Sequence, residues 1–283
     1  MKKSLLVTLA LSLVLVAAGC SKTTENTTEE VATEVEDATE AVEEDAAEAE
    51  DTAEAETETE ADTENAAAEG VMSYADYVAA DVDTEVCVET YVQAKQAWWE
   101  DNGVGQATFY TQNQDGAFFV YNLPCSQEDY DKLVPGTKIK VTGFKSEWSG
   151  EVEIVDATYE IEDTDTFVAD AKDVTDLLGK DELIDYQNQF VSFKGMTVEA
   201  ANDAGDAFLY KWDGSGTEGD DLYFNVSLDG NTYTFTVESY LCDKDSDVYK
   251  AVQNLKVGDV VDMEGFLYWY EGVNPHITSV SVQ

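Results

Sequence analysis

Five residues recur in this chain at one fixed offset. Leu133, Gly136, Gly143, Phe144 and Gly150 return 122 positions later as Leu255, Gly258, Gly265, Phe266 and Gly272. In both copies the first two glycines stand seven apart, with alternating apolar residues between them: Ile139 and Val141 in the first, Val260 or Val261 and Met263 in the second. Identities held in register in this way mean that one structural unit has been built twice. Residues 71–283 supply the material for two domains of about 100 residues each. They carry many aromatic and β-branched residues, three prolines and turn signals at short intervals.

Outward from the repeat, the same order of elements reads twice. In the first copy Val86–Val92 alternates as a strand, and Ala107–Thr111 and Ala117–Asn122 form two more around a turn at Asp115-Gly116. Ser126 then caps a short helix through Leu133, with Asp129 three residues on as an imperfect capping box. Lys138–Trp148 and Glu151–Tyr159 are the fourth and fifth strands. In the second copy Phe190–Val198 comes first, and Leu222–Val226 and Tyr233–Val237 pair around Asp229-Gly230. A helix from Asp243 or Asp245 to about Leu255 follows, and Val260–Tyr270 and His276–Val282 close the set. Val174–Leu178 and Glu182–Tyr186 read as short helices between the copies.

Three strands, a helix and two strands, with a Gly-flanked alternating run opening the fourth strand, resembles the OB-fold, a five-stranded Greek-key barrel. The resemblance covers about 200 residues. It implies a mainly β chain of two OB-fold-like barrels, each with a short helix between strands three and four. The rival is an immunoglobulin-like sandwich, which predicts no helix at that place in both copies.

The start of the chain carries a different signature. Lys2 and Lys3 precede a mostly apolar run, Leu5–Val16, and Ala17-Ala18-Gly19 leads to Cys20. A charged start, a short apolar run and small residues before a cleavage point describe a secretory signal, since about 20 apolar residues are needed to span a bilayer. The small residues before Cys20 resemble the lipobox of bacterial lipoproteins, with Ala17 where that family usually has Leu. The resemblance implies cleavage before Cys20, lipid of the palmitate type on that cysteine, and a cell-membrane location on the extracytoplasmic face. The alternative is an ordinary signal peptide followed by an incidental cysteine. The expected organisation is a signal peptide over 1–19, lipidated Cys20 with an acidic linker over 20–70, a first OB-like domain over 71–162, and a second with leading short helices over 163–283.

Charge narrows the function further. The formal net charge is −46 and no residue is Arg. Residues 21–70 hold one Lys and 20 acids, most of the rest being Thr and Ala, with no aromatic residue. Such a segment buries too little apolar surface to offset chain entropy, and like charges at i, i+4 oppose the helix that Ala and Glu would otherwise favour. It is expected to be disordered and to act as a spacer. Residues 71–283 carry 12 Lys against 41 acids. Nucleic-acid binders usually present a basic stripe rich in Arg, so the expected partners are the membrane, through its anchor, and a cell-wall glycan or an envelope protein, with nucleic acid argued against.

Proteins of the OB type bind ligands on strands two and three and on the 1–2 and 4–5 loops. The tryptophans fall in those loops: Trp98 and Trp99 after the first strand, Trp148 before Ser149-Gly150, Trp212 in the second 1–2 connection, and Trp269 between Tyr268 and Tyr270. Tyr110 and Tyr121 would add to the strand face of the first copy. These nine residues are the candidate stacking surface for a glycan or other uncharged ligand, and covering barrel ends or packing the domains together is the competing role.

Other chemistry finds little support in the sequence. Cys87, Cys125 and Cys242 lack metal or disulfide-framework spacing; a Cys87–Cys125 bridge is the one pairing left open. The single His276 has no accompanying nucleophile motif and reads as a structural histidine. The acidic loop Asp213–Asp221 departs from the EF-hand template, with Phe224 at its twelfth position, leaving only weak Ca²⁺ binding. No motif selects a catalytic pair among the acids, and no cofactor or metal signature is present. The expected function is therefore a non-catalytic, surface-displayed binding module. An accessory or cryptic cell-wall or glycan hydrolase is the first alternative, and nucleic-acid binding implied by the OB-fold is the second.

Overall fold

The computed structural model describes residues 70–283; the signal segment, Cys20 and nearly all of the acidic linker lie outside the described residues. In chain order the first barrel contains α1 (Tyr74–Ala79), β1 (Glu85–Lys95), the short β2 (Trp99–Asp101), β3 (Val104–Gln112), β4 (Ala117–Pro124), α2 (Gln127–Lys132), β5 (Thr137–Trp148) and β6 (Glu151–Thr166). After β7 (Lys172–Asp173) and two 3-10 turns, the second contains β8 (Phe190–Glu199), β9 (Leu209–Tyr210), β10 (Leu222–Leu228), β11 (Asn231–Val237), α3 (Asp247–Gln253), β12 (Val260–Phe266) and β13 (His276–Val282).

Both sheets close on themselves. In the first, β1 pairs antiparallel with β3 and β5, while β6 joins β5 antiparallel and β4 parallel. In the second, β8 takes the place of β1, pairing with β10 and β12, and β13 runs parallel to β11. One parallel contact in an otherwise antiparallel closed barrel, with a helix between the third and fourth main strands, is the OB-like architecture twice over. Alternation along each strand sends Val86, Val88, Phe109, Phe118, Ile139, Val141 and Ile154 into the first core, and Val191, Phe193, Phe224, Val226, Phe235, Val261 and Ile277 into the second.

The repeated residues have shared jobs. Leu133 and Leu255 plug the barrels beside their helices. The Gly136 and Gly258 amides donate at 2.8 Å to the carbonyls of Val92 and Val198 on the equivalent strands β1 and β8. Gly143 and Gly265 stand at register shifts, where the next strand passes so close that a Cβ would collide with the carbonyl of Val155 or of His276. A glycine at a bulge lets the backbones approach.

Three details depart from expectation. Helix α3 is capped by Ser246, whose hydroxyl accepts from the Tyr249 amide at 3.3 Å; Asp243 instead braces the preceding turn by accepting from the Asp245 amide. Helix α1 carries no strong periodicity, yet it plugs the first barrel with buried Tyr77, packed edge-on to Phe118. Lys145 reaches the carbonyls of Tyr77, Val78 and Ala80 to hold its C-terminal end. Finally β12 stops at Phe266 and does not continue to Tyr270. Beyond it the chain leaves the ladder and turns onto the first barrel, where the Trp269 amide donates to Glu151 Oε2 at 2.9 Å.

Candidate functional site

The two barrels meet through a buried aromatic cluster. Tyr110 on β3 and Phe119 on β4 pack against Phe266 at the end of β12, with Tyr110 stacked on Phe266 at 4.4 Å between ring centres. Hydrogen bonds frame this contact. The Phe190 amide donates to Gln112, the Ala97 amide to the Tyr240 carbonyl, Gln96 to Glu238, and the Glu271 amide to the Ser149 carbonyl. The two 4–5 turns, Ser149-Gly150 and Glu271-Gly272, therefore lie against each other. The Trp269 ring sits so near Gly150 that a side chain there would collide with it.

This contact occupies the face on which a first-copy ligand was expected. Tyr110 is fully buried and is removed from the candidate list by that burial. Trp269 is spent on the same contact. Trp98 is half-buried against the first core and its Nε1 donates to the Cys125 carbonyl at 3.0 Å, which makes it part of the barrel wall. Trp99 and Tyr121 are exposed at other places on the surface.

Four of the nine expected residues do come together. Trp148 at the end of β5 pairs with Tyr270 at 5.1 Å, and with Trp212 and Tyr268 they line a cleft of about 680 Å³ between the barrels. Trp212, 75% exposed, is the most open large aromatic of the group. Sequence reasoning missed the rest of the lining: Tyr223 on β10, Asn274, His276, and the carboxyls of Asp221, Glu238 and Glu271. Strand alternation could have found Tyr223; nothing local marked the acids among so many others.

The polar groups of the cleft are held firmly. Asp221 Oδ1 accepts from the Ser239 amide and hydroxyl, and Glu238 accepts from the amides of Tyr240 and Leu241 as well as from Gln96. Burial pushes the Glu238 carboxyl up to about 7. His276 is 6% exposed, and burial pushes its imidazole down to about 3, so the ring is neutral. Its Nδ1 lies 2.7 Å from the Tyr110 hydroxyl. That hydroxyl has no other acceptor among the described residues, an arrangement that favours its donating to Nδ1 and the ring proton on Nε2. Tyr268 stacks on the imidazole at 4.3 Å. His276 thus has the structural role expected of it, and its Nε2, without a partner among the described residues, stands beside the cleft.

Around the second 4–5 turn a further carboxyl is enclosed. Glu151 is fully buried and Glu153 nearly so, and burial raises them to about 8 and about 7. Glu151 Oε1 and the side-chain oxygen of Asn188 have no hydrogen-bond partner among the described residues. Elsewhere, Cys87, Cys125 and Cys242 are free thiols, so the Cys87–Cys125 bridge is not formed. In the 213–221 loop Asp213 and Asp220 accept from the amides of Ser215 and Thr217. No cluster of potential metal ligands occurs among the described residues.

No protein-family model matches the chain. No curated protein matches it either. Among solved structures, the tetrameric p202 HIN2 domain is 12% identical, aligned over 72% of this chain and 96% of its own, with a TM-score of 0.30. A murine DNA-binding protein bound with ds DNA is 10% identical over 70% of this chain and 94% of its own, TM-score 0.34. The p202 HIN1 domain in complex with 12-mer dsDNA is 10% identical over 71% and 92%, TM-score 0.31. These complexes correct the expectation that argued nucleic acid away as a partner. A net charge summed over a chain does not fix the potential of any one face, and the exclusion rested on that sum. Likeness at this level assigns no ligand to the present chain.

Proposed function

We propose that this protein is a lipid-anchored, surface-exposed binding lipoprotein without catalytic activity, and that its ligand is a glycan held in the cleft between the two barrels. The observation that carries the reading is the cleft itself: Trp148, Trp212, Tyr268 and Tyr270 gathered around about 680 Å³, with hydrogen-bonding groups between them. Pockets of a few hundred Å³ with aromatic walls and a few placed polar groups are where small ligands bind. Flat aromatic faces suit the apolar faces of sugar rings, and Asn274, His276 and the carboxyls suit their hydroxyls. The leader and Cys20 support the location, and the acidic segment after them acts as a spacer.

Two measurements test the reading. The wild-type chain should incorporate an alkyne-tagged palmitate analogue in bacterial culture and Cys20→Ser should not; equal labelling would overturn the anchor. The whole chain in detergent should bind soluble cell-wall glycan fragments, and Trp148→Ala should weaken that binding roughly tenfold or more, about 1.4 kcal/mol. The Trp148 side chain is 53% exposed, so its loss should leave the melting temperature in place. Unchanged affinity, or tighter binding to duplex DNA than to glycan, would overturn the glycan assignment.

A further inference from the structure

The cleft is one-sided in charge as well as aromatic. Asp221, Glu238 and Glu271 line it, and no lysine does. Asp221 Oδ2 and the Glu271 carboxylate make no hydrogen bond or ion pair with any described residue, although Asp221 Oδ1 and Glu238 are pinned by backbone amides. A neutral sugar asks for donors and acceptors in mixture. Here the charged groups are acceptors only and the donors are neutral, the side chains of Asn274, Tyr223, Tyr268 and Tyr270 together with the His276 ring, 6% exposed, whose Nε2 has no partner among the described residues. Aromatic faces add a second attraction for positive charge through their quadrupoles. Trp148 and Tyr270 stand paired at the cleft with the Glu271 carboxylate next in sequence.

We infer that the cleft selects a glycan bearing a free, protonated amino group, an amino sugar without its N-acyl substituent, over the acylated or neutral counterpart. The inference rests on the glycan reading above and names the ligand class within it. The ammonium would donate to Asp221 Oδ2 and Glu271, the sugar ring would stack on the Trp148–Tyr270 pair, and a ring hydroxyl or ether oxygen would accept from His276 Nε2. An N-acyl group would remove the charge and leave those carboxylates without a cation.

The test compares two probes on the whole chain in detergent at pH 6: a hexamer of β-1,4-linked glucosamine and the same hexamer N-acetylated. The amino hexamer should bind about tenfold more tightly, roughly 1.4 kcal/mol. The double variant D221N/E271Q should lose that preference and retain the weaker binding to the acetylated hexamer. Glu160→Gln, an exposed acid on β6 away from the cleft, should leave the preference intact. Equal binding of the two hexamers by the wild type would overturn this inference and leave the glycan reading standing; binding of neither would overturn both. A preference that survives in D221N/E271Q would assign it to the charge of the whole chain and overturn the inference.

Discussion

Gly265→Ala should destabilise the protein by about 3 kcal/mol, near the upper end of ordinary overpacking costs. That would lower its melting temperature by roughly 6–12 °C for a folded part of about 200 residues. An alanine Cβ there would run into the His276 carbonyl and the Ile277 Cα, both main-chain atoms of β13 that cannot swing aside as a side chain would. The same register shift sets β12 against β13 and positions His276, so the change disturbs the cleft floor as well as the barrel. Gly258→Ala is the comparison. Its φ is +94°, but no atom lies within 4 Å of the added carbon, so its cost is backbone strain alone, about 1–2 kcal/mol. Thermal melts of the two variants decide the point. A loss at Gly265 no larger than that at Gly258 would mean that the two strands part easily and the close approach is not what the repeat preserves.

Stability should also fall as pH rises from 5 to 8, and Glu151→Gln should remove part of that fall. Burial raises the folded Glu151 carboxyl to about 8, against roughly 4.3 for a free glutamate. Between those values the folded protein keeps the proton and the unfolded chain has released it. Its contribution is complete below the unfolded value and is lost as pH climbs through the folded one, at up to ~1.4 kcal/mol per unit. Glu153 and Glu238, both raised to about 7 by burial, act in the same direction. The opposing carboxyls, Asp129, Asp165 and Asp173, are held below the ordinary range by hydrogen bonds from Lys132, Tyr91 and Thr175, so their effect lies at more acidic pH. Buried His276, lowered to about 3, opposes the fall only up to its unfolded value of about 6.5, and the three raised carboxyls outweigh it. Gln keeps an oxygen for the Trp269 amide, and its N–H₂ can serve the unpartnered Asn188 oxygen. The variant should match wild type near pH 5 and exceed it by about 3–4 kcal/mol at pH 8. Parallel melting curves across this range would show that Glu151 does not carry the linkage.

Much of the barrel was legible because its causes are local. Alternation in Val86–Val92 and Phe190–Val198 follows from one face lining a core, and Ser126 caps its helix because its hydroxyl meets the Asp129 amide at 3.1 Å. The repeat reported the glycines faithfully, since a close strand crossing recurs wherever the fold does. What the sequence could not reveal is which surface meets which. Phe144 and Phe266 are the same residue of the repeat, yet one is 42% exposed and the other 3%, because only the second has the opposite barrel on it. For the same reason Tyr110 resembled a ligand-binding aromatic. Alternation tells that a side chain faces outward from a strand and says nothing of what covers it. Trp148 joins the cleft only through this long-range contact, and Asp221, Glu238, Glu271, Asn274 and His276, brought together from separate parts of the second barrel, could be found only in three dimensions.

The junction of the barrels has a last consequence. Tyr110, Phe119 and Phe266 are packed as tightly as an interior, and hydrogen bonds from both 4–5 turns cross beside them. Two bodies joined in this way do not work as a jaw. The mould between them is cast when the chain folds, and the entropy of ordering its walls has been spent before any visitor arrives. Whatever this protein holds in its cleft, it meets as a finished shape.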